Sequence, residues 1–217
     1  MMTKMKLVFA SNNAHKLAEV RDIMPSGIEV LSLREIGFDH EIDETGTTLE
    51  ENSRIKAEAV YQYVNARKSD VSGVFADDTG LEIDALGGRP GVYTARWYRI
   101  GEDSIPQPSG EGEVFAANRA KALRELEGKE NRGAQFRTVI TLIKFSETND
   151  RPSLVQVEGI VRGRIATEEY GEGGFGYDPI FVPEGYDKTF GELPAEIKNT
   201  ISHRAKALEN LVKVLEK

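Results

Sequence analysis

The sequence predicts a mixed α/β fold in which strands alternate with amphipathic helices. Residues 6–10 are typical of a buried strand, and a short polar turn leads from them into a helix at residues 15–24. The second half contains two consecutive strand-like segments, and the chain ends in an amphipathic helix. Such a series indicates helices packed against a central sheet.

After the first strand, the first half of the chain is expected to contain two helices and two short strands. The first helix has apolar residues at Leu17, Val20 and Met24, at helical spacing. A second helix is expected to start at Thr48, because residues 48–51 (TLEE) match a capping box. Residues 74–86 then predict two short strands on either side of a polar corner, Asp-Asp-Thr-Gly.

The second half begins with a segment rich in Gly, Pro and Ser at residues 99–113, which predicts a surface loop. A helix is expected at residues 114–126, followed by strands at 136–145 and 154–165. The two strands are expected to pair antiparallel, with a bend at Gly159 or Gly163. The last helix is expected from about Ser202, and its apolar face consists of Ala205, Leu208, Leu211, Val212 and Leu215.

Length and composition narrow the class of protein. A chain of 217 residues with 39% hydrophobic residues is long enough to bury a core and short enough for a single domain over residues 1–217. No apolar run is long enough to span a membrane, and the first residues become polar too soon for a signal peptide. We therefore expect a cytoplasmic protein that does not bind membranes.

Charge and cysteine content narrow its ligands. The net charge of −8 argues against a broad nucleic-acid surface. The chain has no cysteine, so a bound metal would need oxygen or imidazole ligands. Oxygen ligands favour Mg²⁺ or Mn²⁺.

The first polar motif, Ser11-Asn12-Asn13-Ala14-His15-Lys16, lies where a strand passes into a helix. Backbone N–H groups at a helix start, two amides and a lysine together suit a phosphate. The alternative is ordinary helix capping by Ser or Asn. The motif lacks the Gly-Lys-Ser/Thr ending of a P-loop.

The second motif is the pair of carboxylates at Asp77 and Asp78. Their repulsion requires a cation or a shared proton, and Mg²⁺ would supply the former. Consecutive strand residues point to opposite faces, so we expect only one of them, Asp78, to face the site. Asp43 and Glu44 are candidates for a supporting ligand. An Asx turn and an exposed acidic loop are the respective alternatives.

The third motif, residues 171–176 (GEGGFG), matches the dinucleotide pattern GxGxxG, which requires a helix directly after it. Pro179 follows instead and is expected to keep Asp178 extended before a strand, so a dinucleotide site is rejected. What remains is a glycine loop that presents Phe175 for base stacking and Asp178 as an acid. A plain turn is the alternative.

The last motif is the cluster of Lys198, His203 and Arg204 near the start of the final helix. Its donors match a ketopurine edge or a phosphate, and Arg204 is expected to contact the base edge. Capping by Ser202 is the alternative. His203 is not expected to bind metal, because no second histidine has the spacing of a paired ligand.

Five blocks in this order resemble the inosine triphosphate pyrophosphatase family along almost the whole chain. They are SNNAHK, ETGTTLEENSRIKA, FADDTGLEIDALGGRPGVYTAR, GEGGFGYDPIF and ISHRAKAL. The resemblance implies Mg²⁺-dependent cleavage of ITP, dITP or XTP to the monophosphate and pyrophosphate. It also implies an elongated mixed sheet with flanking helices, two lobes around a nucleotide cleft, and a homodimer.

Site roles are carried over from the family by position. Asp78 is the implied catalytic acid-base and metal-linked carboxylate, with Asp43 or Glu44 as the second metal ligand. The triphosphate is assigned to residues 11–16 and to Lys56. The remaining substrate contacts are Thr79, Phe175, Gly176, Tyr177, Asp178, Lys198, His203 and Arg204.

The sequence departs from the family pattern in two places. Two functions other than the one that the resemblance implies are also considered. Leu49 replaces a usual phenylalanine, and the loop at residues 98–113 is longer than usual, which puts the shape of the entrance in doubt. A non-catalytic purine nucleotide sensor would not need the paired carboxylates. A phosphatase with Asp77 as nucleophile would need a second acid where Thr79 stands.

Overall fold

The structure is a computed structural model that describes residues 4–67, 70–101, 108–145 and 152–216. Its strands are β1 (Met5–Phe9), β2 (Ile28–Ser32), β3 (Gly73–Ile83), β4 (Pro90–Gly91), β5 (Gly133–Lys144), β6 (Ser153–Ile165) and β7 (Phe181–Pro183). Its α-helices are α1 (Ala14–Ile23), α2 (Leu49–Ala66), α3 (Glu111–Glu125), α4 (Ala195–Ile201) and α5 (His203–Leu215). Short 3₁₀ helices occupy Asp84–Leu86, Thr94–Arg99 and Asp178–Ile180.

The strands form one mixed sheet in the order β2-β1-β3-β5-β6-β7, with β4 paired to β3. β1 is parallel to both β2 and β3, whereas β4 is antiparallel to β3 and β7 is antiparallel to β6. The predicted mixed α/β fold is therefore confirmed. No helix within the described ranges has the length and apolar character needed to cross a membrane.

The chain divides into two compact units. Unit 1 comprises residues 1–78, 138–159 and 204–217, and unit 2 comprises residues 79–137 and 160–203. β3, β5 and β6 contribute residues to both.

Unit 1 has a separate apolar core on each face of its strands. Leu7 and Phe75 pack with residues of α1 and α5, including Leu208. Their sequence neighbours Val8 and Val74 pack with α2. This follows from the alternation of side chains along a strand. One face of unit 1 is therefore covered by α1 and α5, and the other by α2.

Unit 2 has a single apolar core. Leu81 and Ile83 from the second half of β3 pack with Trp97 and with Leu126, which follows α3. Phe181 at the start of β7 belongs to the same cluster. The glycine loop and α4 belong to this unit.

The capping box is present as predicted: Thr48 accepts from the Glu51 amide, and the Glu51 carboxylate accepts from the Thr48 amide. The corner predicted at residues 77–80 is wrong, because β3 continues without interruption from Gly73 to Ile83. Burial of the two aspartates is tolerated there because each has a cationic partner, as described below.

Three further differences concern local structure. α3 begins at Glu111, inside the segment predicted as loop, and residues 102–107 of that segment lie outside the described residues. α4 was not expected. Asp178 is not extended but begins a 3₁₀ helix, in which its carboxylate accepts from the Phe175 amide.

Candidate active site

The two aspartates of β3 point to opposite faces of unit 1, as their neighbours do. Asp77 lies on the same face of the strand as Phe75 and contacts residues of α1 and α5. Asp78 lies on the same face as Val74 and contacts α2. The strand period therefore separates two carboxylates that are adjacent in sequence. Each acquires a different set of partners.

Asp77 is the centre of a buried ion-pair cluster. Its Oδ1 lies 3.0 Å from Lys16 Nζ, and its Oδ2 lies 3.2 Å from Arg204 Nε. Arg204 also pairs through Nη1 with Glu19, one turn after Lys16 on α1. Burial alone would raise the pKa of Asp77, but the charges of Lys16 and Arg204 outweigh it and hold that pKa well below its ordinary value. Asp77 is therefore a fixed anion.

The same cluster perturbs Lys16. Burial lowers the pKa of its ammonium group, and the nearby Asp77 carboxylate only partly offsets this. A buried cation next to a helix start suits an anionic ligand.

Asp78 has a different environment. Its Oδ1 lies 3.2 Å from Lys56 Nζ, which also lies 2.7 Å from Glu44 Oε2. Its Oδ2 is buried and has no hydrogen-bond partner among the described residues. Burial raises the pKa of Asp78, although Lys56 and Lys16 oppose this. A buried carboxylate oxygen without a partner is costly unless a ligand, ion or water satisfies it.

Lys56 lies between two carboxylates. Burial alone would lower its pKa, but the charges of Asp78 and Glu44 outweigh this and raise it. Lys56 is therefore a permanent cation at physiological pH.

The motif at residues 11–16 forms the turn into α1. Ser11 Oγ accepts from the Asn13 amide, and Asn13 Oδ1 caps the helix by accepting from the Lys16 amide. Ala10 N donates to Phe75 O, which places this turn beside β3. Helix capping, which was the alternative interpretation of this motif, is therefore present. In addition, Lys16 contacts Asp77. Asn12, Ala14 and His15 are exposed.

The proposed metal ligands are only partly brought together. Glu44 and Asp78 share Lys56, but the side chain of Asp43 is exposed. Within the described parts of the chain, no three His, Cys, Asp or Glu side chains group closely enough to hold a metal by themselves.

In unit 2, the glycine loop is held by one carboxylate. Asp178 Oδ2 accepts from the Phe175 amide and from Lys198 Nζ, each at 2.7 Å. Lys198 Nζ also lies 4.9 Å from the centre of the Phe175 ring. Gly174 has φ +71°, and a Cβ at this position would collide with Asp178 Oδ2, so the loop requires glycine there.

Several predicted substrate contacts are buried. Tyr177 donates its hydroxyl to the Thr94 carbonyl, and burial raises its pKa. His203 stacks on Phe136 with ring centres 4.7 Å apart. The Gly176 carbonyl accepts from Arg119. Thr79 is half-buried directly after Asp78.

Arg204 was predicted to contact a base edge, and this role stays a prediction. The residue is 2% exposed, and its Nε and Nη1 donate to the carboxylates of Asp77 and Glu19. No role was predicted for Glu19. Its spacing of three residues from Lys16 on a helix was the available signal.

The chain is similar to known proteins along nearly its whole length. The model described as the Ham1 family matches residues 7–214. This chain is 47% identical to the dITP/XTP pyrophosphatase of Bacillus subtilis, and the match covers 100% of each chain. The dITP/XTP pyrophosphatase of Flavobacterium johnsoniae is 46% identical over 97% of this chain and 98% of its own. The solved structure of a HAM1 protein from Coxiella burnetii has a TM-score of 0.77 at 35% identity, covering 98% of each chain.

Proposed function

This chain belongs to the Ham1 family, and from that premise we propose that it hydrolyses noncanonical purine nucleoside triphosphates to the monophosphate and pyrophosphate. The proposed substrates are ITP, dITP and XTP. The dITP/XTP pyrophosphatases to which it is similar support this substrate class.

The observation that carries the proposal is the state of Asp78. A carboxylate with one oxygen paired to Lys56 and the other buried without a partner among the described residues is suited to bind and orient a water molecule. Burial raises its pKa, so the charged carboxylate gains from a cation or a hydrogen-bond donor that reaches this oxygen. Asp78 thus orients or deprotonates the water that attacks the α-phosphorus.

The residues of this site fit a divalent cation, for which we propose Mg²⁺. Mg²⁺ is usually held by one or two carboxylates together with substrate phosphates rather than by a complete protein cage. Asp78 and Glu44 would supply the carboxylates, with Asp43 as the other candidate. When bound, the cation would neutralise charge on the phosphates.

The remaining residues of unit 1 act on the triphosphate. Lys16, Lys56 and the start of α1 provide positive potential for phosphate oxygens. The proposed phosphate-binding turn consists of Ser11, Asn12, Asn13, Ala14 and His15. Asp77 holds Lys16 in place, and Arg204 in turn pairs with the other oxygen of Asp77.

A second group of residues is proposed to bind the nucleoside. Phe175 is proposed to stack on the base, and Lys198 to donate to an acceptor on the ketopurine. Asp178 fixes both, because its Oδ2 bonds to the Phe175 amide and to Lys198. Thr79, Gly176, Tyr177 and His203 complete the proposed contacts. A keto oxygen accepts from a buried donor that adenine would leave unpaired, at a cost of about 1–3 kcal/mol.

The direct test is incubation with ITP and MgCl₂, followed by separate assays for pyrophosphate and orthophosphate. The proposal requires equimolar IMP and pyrophosphate, and it requires EDTA to stop the reaction. Orthophosphate as the primary product would indicate a phosphatase, and binding without turnover would indicate a nucleotide sensor. Either result would overturn the proposal.

A further inference from the structure

Asn52 on α2 is a buried polar residue with no role in the site described so far. It is 1% exposed and lies one helical turn before Lys56, so both residues are on one face of the helix. Its Oδ1 accepts from the Gly46 amide at 2.8 Å. Because that N–H requires an acceptor, the orientation of the side-chain amide is fixed.

Gly46 is packed tightly against this side chain. A Cβ at position 46 would lie 2.7 Å from Asn52 Oδ1 and 2.6 Å from the Glu51 Cβ, which is closer than real Cβ atoms approach. The segment at residues 44–46 therefore lies directly on the start of α2. Glu44, two residues before Gly46, is the residue of this segment that contacts Lys56.

The second polar atom of the Asn52 side chain is the amide nitrogen, Nδ2. This atom is buried and has no hydrogen-bond partner among the described residues. A buried donor in this state costs about 1–3 kcal/mol. An oxygen atom of a bound water or ligand would satisfy it, whereas an apolar side chain of similar size would avoid the cost. The presence of asparagine rather than leucine at this buried position therefore calls for a function.

We propose that Asn52 is a positioning residue for the active site: its carbonyl holds Gly46 and thereby keeps Glu44 against Lys56, beside Asp78. This inference rests on the proposed function. It differs from ordinary helix packing because it assigns the effect of Asn52 to one other residue, Glu44. Partners that orient ligand side chains in this way commonly affect activity about 10- to 100-fold.

A double-mutant cycle tests the link. We expect Asn52→Ala and Glu44→Gln each to lower kcat/KM for ITP by about 10- to 100-fold. The double variant should be no worse than the poorer single variant, because residues that act as a unit are non-additive. The Mg²⁺ concentration for half-maximal activity should rise in all three. If the two losses multiply, Asn52 does not act through Glu44 and the inference is overturned.

Hydrogen exchange gives a readout independent of activity. In protein without nucleotide or metal, the backbone amides of residues 44–47 should exchange faster in Asn52→Ala than in the parent. Asn52→Asp retains the acceptor for the Gly46 amide and should retain the protection. Unchanged exchange in Asn52→Ala overturns the inference even if the parent hydrolyses ITP. Inactivity of the parent with ITP defeats the proposed function, while exchange still decides whether Asn52 holds this segment.

Two further variants separate positioning from folding. Gly46→Ala changes no polar group but forces the segment away from Asn52, so it should reproduce the loss of Asn52→Ala and the non-additivity with Glu44→Gln. Asn65→Ala removes an exposed asparagine from the same helix and should behave as the parent. Should Gly46→Ala remain as active as the parent, Glu44 does not depend on this contact and the inference fails.

Discussion

Single residues in this site acquire their chemistry from the face of the strand that they occupy. Asp77 lies between two cations on the α1 and α5 face, and those charges lower its pKa. Asp78 lies on the α2 face with one oxygen unpaired among the described residues, and burial raises its pKa. One residue is therefore a permanent anion, while the other can accept a proton.

The first prediction concerns Asp78→Asn, which should lower kcat for ITP by about 100-fold or more, because the amide keeps the shape but cannot accept a proton. The free energy of unfolding without metal should not fall. Burial opposes ionisation of Asp78 in the folded protein, so a neutral amide at this position removes that cost, and Lys56 retains Glu44. Steady-state kinetics and urea unfolding measure both quantities. Activity within tenfold of the parent would rule out the assigned role.

The second prediction concerns Asp77→Asn, which should destabilise the protein by about 3–5 kcal/mol, because Lys16 then loses its buried counter-charge and Arg204 loses one of its carboxylate partners. Asp22→Asn is the matched control on an exposed part of α1. The pKa of Asp77 lies below its unfolded value of about 3.9, so its stabilisation is complete above that pH and is lost as the pH falls through and below it. In urea unfolding between pH 7 and pH 3, the stability difference between the parent and Asp77→Asn should stay constant down to about pH 4 and begin to shrink below it. A difference that stayed constant down to pH 3 would contradict the ion-pair account.

The third prediction concerns Phe175→Ala. Loss of base stacking should weaken nucleotide affinity by about 1–3 kcal/mol. The KM for ITP should rise, while the free energy of unfolding changes little, because Phe175 is only half-buried. Tyr186→Ala, which removes another exposed aromatic side chain, is the control. An unchanged KM would make Phe175 a loop residue without a role in binding.

At the scale of elements, α2 brings most of the Asp78 environment together. It carries Lys56 and Asn52, and its first turn is closed by Thr48 and Glu51. The Glu51 carboxylate also accepts from the Thr47 amide and hydroxyl. The start of this helix therefore fixes the chain that leads from Glu44 into it.

The fourth prediction follows from this arrangement. Thr48→Ala should lower the free energy of unfolding by about 1 kcal/mol, as expected for loss of an N-cap side chain. Thr45→Ala, an exposed threonine just before the helix, should have little effect. Thermal and urea unfolding of the two variants check this. Equal stabilities would show that the Glu51 bonds alone hold the first turn.

At the scale of the whole molecule, membership of the Ham1 family covers nearly the entire chain. The family resemblance leads us to propose that the protein is a homodimer. Its composition and net charge lead us to propose that it acts in the cytoplasm, without nucleic acid or membrane partners.

The fifth prediction is therefore a solution mass of twice the 24.1 kDa of one chain. Light scattering coupled to size-exclusion chromatography, over a range of micromolar concentrations, measures it. A mass of about one chain throughout would exclude the dimer.

Local patterns in the sequence were sufficient to predict the fold class and several individual elements. The capping box at Thr48, the strand at residues 6–10, the helix that follows it and the apolar face of α5 all result from short-range periodicity and capping, which neighbouring residues fix. The assignment of opposite faces to Asp77 and Asp78 is also a short-range property, because a strand alternates with period two.

The distant residues that contact each carboxylate became known from the folded chain alone. Polar residues 77–80 favoured a turn, but parallel pairing of β3 with β1 extends through Phe75, and buried cations from α1, α2 and α5 allow the carboxylates to stay within the strand. Arg204 was expected at a base edge because its donors suit one, yet burial next to Asp77 and Glu19 engages two of them. The sequence carries the charges, whereas the pairing of residues more than 100 positions apart depends on packing that no local pattern encodes.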